Sequence, residues 1–395
     1  MLFLLLFELS IIVGFLLDLL LADPEKLPHP VVIIGKGISF LEKHLRQIFP
    51  DTPEGRRAGG AVMAVLIPVT TFIVTAGLCI LAWIIHPLMF FLLHTLWCWQ
   101  AVAIRGLAKE AKNVYRCLTA DGADEAQESE NAADENAQTQ ADEAIPISRL
   151  IAARKAVSRI VGRDTQALDA AGVTRAAVET VAENYSDGVI APYFYMMFGG
   201  APLALTYKSV NTMDSMVGYK NETYIDFGRV PAHLDDAAGY IPARLGALIW
   251  ILAAATVTSG VRRRFAEISS NTAVAGASNL AAEEAGRNEV EAAALKSAPV
   301  FGMKGAWRIW RRDNRNHASP NSAQTESACA GALGVQLAGP AYYFGEFYDK
   351  PTIGDALRPI EPEDILRTNR MLYAASLVTV LLCIAVSTAL ILAAV

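Results

Sequence analysis

Between Ala61 and Ile104 the chain runs for 44 residues without an Asp, Glu, Lys or Arg. So long an uncharged stretch is foreign to soluble domains, whereas a helix needs about 20 apolar residues to cross the hydrocarbon of a bilayer. His86-Pro87 interrupts the run near its middle, which predicts two helices joined as a hairpin. Met371–Val395 repeats the signal with 25 uncharged residues. Tyr240–Gly260 is a further candidate span, with Arg244 near its start. The first 21 residues are weaker, because Glu8 and Asp18 interrupt them. Without a basic leading segment or a small-residue cleavage site, they read as an anchor helix rather than a signal peptide. A hydrophobic share of 53%, a charged share of 19% and a mean hydropathy of +0.31 agree with this reading. The expected fold is an all-α polytopic membrane protein of four to six apolar helices.

Topology follows from the positive charges. Lys26, Lys36, Lys43, Arg46, Arg56 and Arg57 lie between the first two apolar segments, and Arg105, Lys109, Lys112 and Arg116 follow the hairpin. Arg149 to Arg163 add five more, and Arg262–Arg264 follow the Tyr240–Gly260 segment. By the positive-inside rule these regions are cytoplasmic. Gly188–Tyr207 and Tyr240–Gly260 must then both cross or both fail to cross. Pro192, Gly199, Gly200 and Pro202 suit a broken or re-entrant segment, which backbone chemistry permits only inside protein or along a cavity. A buried, broken pair is therefore expected.

Two stretches are low in complexity. Asp121–Glu143 holds nine acidic residues and no basic one, so removing it would move the formal charge from −6 to +3. Residues 269–298 are rich in Ala, Ser, Asn and Glu. Both read as insertions in cytoplasmic loops of a single membrane-embedded catalytic domain spanning 1–395. The five cysteines are scattered and form no CxxC pair, so neither a disulfide framework nor a zinc site follows.

The chemistry concentrates in Val178–Gly228. Twenty uncharged residues, Gly188–Tyr207, lie between Asp187 and Lys208. Carboxylates and amides on both sides of such a run are costly unless they pair, bind metal or react. Glu179 and Glu183 stand at i and i+4 on a helix over about Ala176–Tyr185, which ends near Asp187. Carboxylates converging in this way suit Mg²⁺, which is held by one or two of them plus phosphate oxygens; the alternative is a solvated acidic face. Asn211, Asp214 and Ser215 share a second helical face. Asp235-Asp236 suits helix capping as well as catalysis. His317 lies among arginines that disfavour its cationic form, leaving a neutral ring to act as acceptor or base. Ser319-Pro320-Asn321 makes a turn that can start a helix ahead of the small-residue run from Ser327. The glycine-framed aromatic stretch Gly339–Glu346 fits either a wall for a large planar ligand or a membrane interface. There is no P-loop, no dinucleotide fingerprint, no nucleophile elbow and no HExxH.

Six ordered motifs carry a resemblance over nearly the whole chain. They are Leu17–Gly35 (LDLLLADPEKLPHPVVIIG), Val161–Asp164 (VGRD), Val178–Pro192 (VETVAENYSDGVIAP), Val210–Gly228 (VNTMDSMVGYKNETYIDFG), Leu234–Arg244 (LDDAAGYIPAR) and Ser319–Glu346, which opens SPN and runs through AGALGVQLAGPAYYFGE. Together they resemble the adenosylcobinamide-phosphate synthase family of cobalamin biosynthesis. The resemblance implies a multi-pass protein of the cell (inner or plasma) membrane with its site facing the cytoplasm. It implies an acid–amine ligase that joins (R)-1-aminopropan-2-ol, or its phosphate, to a propionate of adenosylcobyric acid with ATP and Mg²⁺. The partners are the corrinoid, the aminopropanol, the lipid bilayer and other cobalamin enzymes, with no nucleic acid. The run Ser322–Glu326 departs from the family's small residues after Ser-Pro-Asn.

On this reading Glu183, Asp187, Asp214 and His317 are the catalytic candidates, and the first three of them hold Mg²⁺. Arg163, Asn184, Ser186, Asn211, Ser215, Asn221, Glu222, Arg244, Ser319, Asn321, Tyr342, Tyr343 and Glu346 are the candidates for binding substrate and phosphate. A corrinoid transporter and a non-catalytic membrane scaffold are the competing readings. A transporter would place its polar residues within inverted apolar repeats, and none is visible here.

Overall fold

A computed structural model describes residues 2–22, 27–119, 145–274, 300–343 and 345–394. The acidic stretch 121–143 lies outside them, as do residues 275–298 of the second low-complexity stretch. Thirteen α-helices are described. The first five are α1 (Leu2–Leu21), α2 (Pro30–Ile48), α3 (Pro53–Ile85), α4 (Pro87–Gln100) and α5 (Ile104–Leu118). His86 explains the hairpin. Its backbone N–H closes α3 on the Ala82 carbonyl, and its ring accepts from Leu88 N to open α4 behind Pro87. Within α1, Glu8 accepts from Ser387 Oγ at 2.8 Å and Asp18 from Arg105 N at 3.1 Å, so one oxygen of each carboxylate is engaged inside the bundle.

The central stretch is α6 (Ile147–Val157), α7 (Ala170–Tyr185), a π-helical turn at Ser186–Ile190, α8 (Ala191–Val217), α9 (Arg229–Ala253) and α10 (Thr258–Val274). Asp169 caps α7 through Gly172 N at 2.7 Å, so this helix begins six residues before the sequence suggested. Nor does it end at Asp187. The π turn carries the chain through Gly188 straight into α8. The break comes further on, at Gly199 and Gly200, where Gly200 takes a positive φ of 65° and the freed Ala201 N–H donates to His94 Nε2 at 3.0 Å.

The last helices are α11 (Gly302–Asp313), α12 (Ser322–Leu333) and α13 (Glu363–Ala394). Between α12 and α13 lie the described departures from the all-α plan. Strand β1 (Leu337–Ala338) pairs antiparallel with β4 (Thr352–Ile353), and β2 (Ala341–Tyr343) with β3 (Glu346–Tyr348). The aromatic stretch is thus a small hairpin.

Among the described residues, six helical stretches are long and apolar enough to cross a membrane: Leu2–Leu21, Pro53–Ile85, Pro87–Leu118, Ala170–Val217, Arg229–Thr256 and Glu363–Ala393. The protein is a multi-pass helical membrane protein. Val65, Ile73, Ile80 and Ile84 stand exposed along α3, as lipid-facing residues do. Ala170–Val217 behaves differently: 72% of its apolar window is buried, against 17% for Pro53–Ile85. The broken segment is therefore wrapped by protein, which is where irregular backbone is tolerated. Both stretches of the expected pair are nonetheless long enough to cross, so length does not require re-entry.

Helix α12 has no exposed side at all; every residue from Ser322 to Leu333 is buried. Its backbone meets α11 at Gly305 and Gly331, where a Cβ on either would come within 2.3 Å of the other's carbonyl oxygen. That close approach places a polar helix in the middle of the molecule.

Candidate active site

The polar residues of the interior fall into two adjoining layers. In the first, Asp187 sits in the π turn and accepts a long hydrogen bond from Tyr207 Oη at 3.5 Å. Tyr207 stacks on Tyr195 with the ring planes 12° apart, and Tyr195 in turn donates to the Ala238 carbonyl at 3.0 Å. Asp187 lies within electrostatic reach of Asp235, Glu183, Lys208 and Asp214. Asn211 Nδ2 donates to Asp235 Oδ1 at 3.4 Å. Asp235 and Asp236 do not cap a helix: Gly228 holds that position, and the pair stands inside α9. They turn instead toward α8 and the Ser-Pro-Asn turn. Ser319 Oγ donates to Asp236 Oδ1 and Asn321 Nδ2 to the Asp236 carbonyl, both at 3.0 Å.

The second layer surrounds the start of α12. Ser322 Oγ donates to Glu183 Oε1 at 2.8 Å. Glu179, only 3% exposed, is clasped by Arg163 and accepts from Ala338 N at 2.5 Å. Glu326 is also buried, within reach of Glu183, Glu179, Arg163 and Lys350, and its Oε2 has no partner among the described residues. Burial, followed by the nearby Glu183 and Glu179, pushes its carboxyl well above the usual carboxylate range.

His317 joins this layer, and its chemistry differs from the sequence reading. Burial, helped by Lys350 rather than by the neighbouring arginines, holds the ring below the ordinary imidazole range, against the opposing pull of Glu183 and Glu179. Its Nδ1 accepts from Ser319 N at 3.1 Å. A neutral ring that accepts at Nδ1 carries its proton on Nε2, so its free nitrogen donates rather than acts as a base.

Beside His317 opens a cleft of about 560 Å³ lined by Tyr240, Arg244, Trp310, Asn314, Arg315 and His317. Arg244 is held at its edge by Asn321 Oδ1 at 3.1 Å and the Tyr240 carbonyl at 2.8 Å, with its guanidinium 3.4 Å from the Tyr240 ring centre. The hairpin is tied alongside. Asp164 N donates to the Tyr342 carbonyl at 2.9 Å, and Gly345 N to the Asp164 carboxylate at 2.7 Å. Lys350 Nζ donates to Tyr343 Oη at 2.5 Å, while Tyr342 and Glu346 are exposed.

Several candidates stand apart. Asn221 and Glu222 lie on an exposed turn, where Asn221 Oδ1 accepts from Tyr224 N at 3.1 Å. Asn184 and Ser215 donate to the carbonyls of Thr180 and Asn211 on their own helices. Ser186 is buried, its hydroxyl unpartnered among the described residues. In the Asn221 region it is Asp226 that is engaged, paired with Arg57 at 2.8 Å. Glu326, Ser322 and Lys350 were missed as site residues. The available signal was a Glu inside an otherwise small-residue helix, QTESACAGAL.

Among the described residues, no three His, Cys, Asp or Glu side chains gather closely enough to hold a metal ion unaided. Glu183, Asp187 and Asp214 are therefore not a ready-made cage. The donors present are hard oxygens, with Asp187 and Asp235 near Lys208 and Asp214 within reach of both acids. That set fits a cation completed by phosphate oxygens and water, as Mg²⁺ sites commonly are.

Comparison with known proteins settles the lineage. The family model described as CobD/Cbib protein matches residues 11–133 and 130–372. The chain belongs to the CobD/Cbib protein family. Among its relatives, the cobalamin biosynthesis protein CobD of Geobacter metallireducens is 41% identical over 380 residues, covering 96% of each chain. A CobD of Clostridium perfringens is 37% identical over 93% of this chain and 94% of its own. The cobalamin biosynthesis protein CbiB of Salmonella typhimurium is 38% identical over 94% and 95%. No solved structure matches. Every polar residue of the two layers lies inside the matched region, so the CobD/Cbib assignment covers the candidate site itself.

Proposed function

We propose that this protein is the ligase of cobalamin biosynthesis that joins the amine of (R)-1-aminopropan-2-ol, or of its phosphate, to the f propionate of adenosylcobyric acid. The observation that carries the reading is the meeting of Asp187, Asp214, Asp235 and Lys208 inside a membrane bundle, beside a cleft edged by Arg244. A scaffold has no need of acids packed this closely, and a transport path would set them within inverted apolar repeats, which the sequence does not display. An acid–amine ligase needs an acceptor for the ammonium proton and cations for carboxylate and phosphate.

Each role follows from position. Asp235, oriented by Asn211, is the acceptor for the proton that the ammonium must lose before it attacks, while Tyr207 orients Asp187. Lys208 and Arg244 draw the anionic ends of the substrates, Arg244 with its guanidinium fixed by Asn321. His317, neutral, donates from Nε2 to a substrate oxygen. The exposed Tyr342 and Phe347 offer flat apolar surface to the corrin ring. Mg²⁺ and ATP, when bound, supply charge neutralisation and a phosphate leaving group on the carboxylate oxygen; Asp187, Asp214 and Glu183 are the residues that would hold the ion. The basic loops orient this site toward the cytoplasm of the cell membrane.

The test is direct. Purified protein in detergent, given adenosylcobyric acid, aminopropanol phosphate, ATP and Mg²⁺, should yield the amide by mass spectrometry. Cells lacking the gene should fail to make cobalamin from cobyric acid yet make it from cobinamide. Cobalamin formation from cobyric acid without the gene would overturn the ligase reading and favour transport or scaffolding.

A further inference from the structure

A second cavity, of about 740 Å³, lies away from the site, between α5 and the start of α13. Its walls carry Arg105, Lys109, Lys112, Arg116 and Arg370, and no carboxylate among the described residues lines it. The four cations of α5 recur at spacings of three and four, so they form one helical face. The opposite face, Ile104, Ala108, Ala111, Val114 and Leu118, is buried in the bundle. No described carboxylate pairs with Lys109, Lys112, Arg116 or Arg370. Asn369, 7% exposed, also lines the cavity; its Nδ2 is spent on the Ala108 carbonyl, while its Oδ1 has no partner among the described residues.

Three elements fix the depth of this cavity. The uncharged run through α4 ends at Arg105, and that of α13 begins just after Arg370. The guanidinium of Arg105 donates to the Leu19 carbonyl, at the last turn of α1. The cavity therefore sits where three apolar helices meet the membrane surface. Tyr373 borders it, as aromatic residues do at that level. From Tyr373 an exposed apolar stripe runs on through Leu377 and Leu381, four residues apart, toward the membrane interior.

We propose that this cavity binds the phosphate headgroup of an anionic glycerophospholipid. The five cations take the phosphate, and the acyl chains lie along Tyr373, Leu377 and Leu381. A free phosphate would use the cations alone. The apolar stripe continuing from the cavity, at hydrocarbon depth, is what a lipid uses and a soluble anion does not.

The experiment is native mass spectrometry of the intact protein in detergent, titrated with dioctanoyl phosphatidylglycerol, dioctanoyl phosphatidylcholine or inorganic phosphate. Phosphatidylglycerol should be retained at least tenfold better than phosphatidylcholine. The triple variant Lys109→Gln, Lys112→Gln, Arg370→Gln should lose roughly a hundredfold in affinity, at about a factor of five per charge near the surface. These side chains are exposed, and Lys109→Arg with Lys112→Arg should retain binding, which separates lost charge from lost fold. Equal retention of both lipids, or unchanged binding in the triple variant, overturns the proposal. Displacement of phosphatidylglycerol by equimolar inorganic phosphate would overturn the lipid assignment in favour of a soluble anion.

Discussion

The Arg163–Glu179 pair admits a decisive test, because sequence and structure give Arg163 different work. The sequence assigns it to a phosphate; in the structure it clasps Glu179. The Glu179 side chain is 4% exposed and that of Arg163 17%. Replacing Arg163 by Gln leaves a buried carboxylate with only the Ala338 N–H for company, in a layer already holding Glu183 and Glu326. Breaking a buried pair from one side costs about 3–5 kcal/mol. At about 1.4 kcal/mol per decade, this lowers the folded-to-unfolded ratio by roughly a hundredfold to several thousandfold. Adding Glu179→Gln removes the orphaned charge while keeping an acceptor for Ala338 N, so the double variant should recover at least half the loss. Dodecyl-sulfate titration in mixed micelles, followed by the fluorescence of the six tryptophans, reads both values. A single variant within about 0.5 kcal/mol of the parent, or a double variant no better than the single, would refute the pairing argument. Ligation assays then separate the roles. If Arg163 only holds Glu179, the double variant regains activity; if it also grips phosphate, stability returns while KM for the phosphorylated substrate stays high.

Asp187→Asn and Asp235→Asn should each lower turnover by orders of magnitude while the protein still folds, and Asp214→Asn should be partly restored by raised Mg²⁺; unchanged turnover in all three would remove the acidic layer from the chemistry. Glu326 has its folded-state pKa raised, so the native protein holds a proton that the unfolded chain releases above about pH 4.3, and stability falls as pH rises from there toward the folded value. Glu326→Gln cannot ionise, so its stability advantage over the parent should grow between pH 5 and pH 8; a constant difference would contradict the assignment. Replacing 121–143 by a short Gly-Ser linker should leave membrane insertion and turnover nearly unchanged, since α5 and α6 pack together without it; loss of both would show that the segment folds or binds a partner.

What the sequence made legible was set by desolvation. A 44-residue uncharged run has few places to go, and Gly199-Gly200 followed by Pro202 cannot continue a helix undisturbed. The acids at either end of Gly188–Tyr207 stood out for the same reason, and the structure sets Asp187 within reach of Glu183 on one side and Asp214 on the other. The rest depended on contacts distant in sequence. Whether Asp235-Asp236 cap a helix turns on where α9 begins, and Gly228 decides that. Nothing in QTESACAGAL announces complete burial, because the helix has no apolar face to read; α11 and its other neighbours enclose it from every side. The tautomer of His317 hangs on a single amide two residues away.

The π turn at Ser186–Ile190 makes the chain tolerant of a change that a regular helix refuses. Each residue of an α-helix advances the chain by about 100° around its axis, and a π turn accommodates one residue beyond the α count over much the same rotation. Losing one residue there would let the segment relax into regular helix with α8 kept nearly in phase with α7, so Tyr193 and Met196, now fully buried, would stay in the interior. Only the turn itself would reset, and Asp187 would part from Tyr207. The same deletion further along α8 would swing everything beyond it by that angle. In this protein the extra residue belongs to the site rather than to the fold.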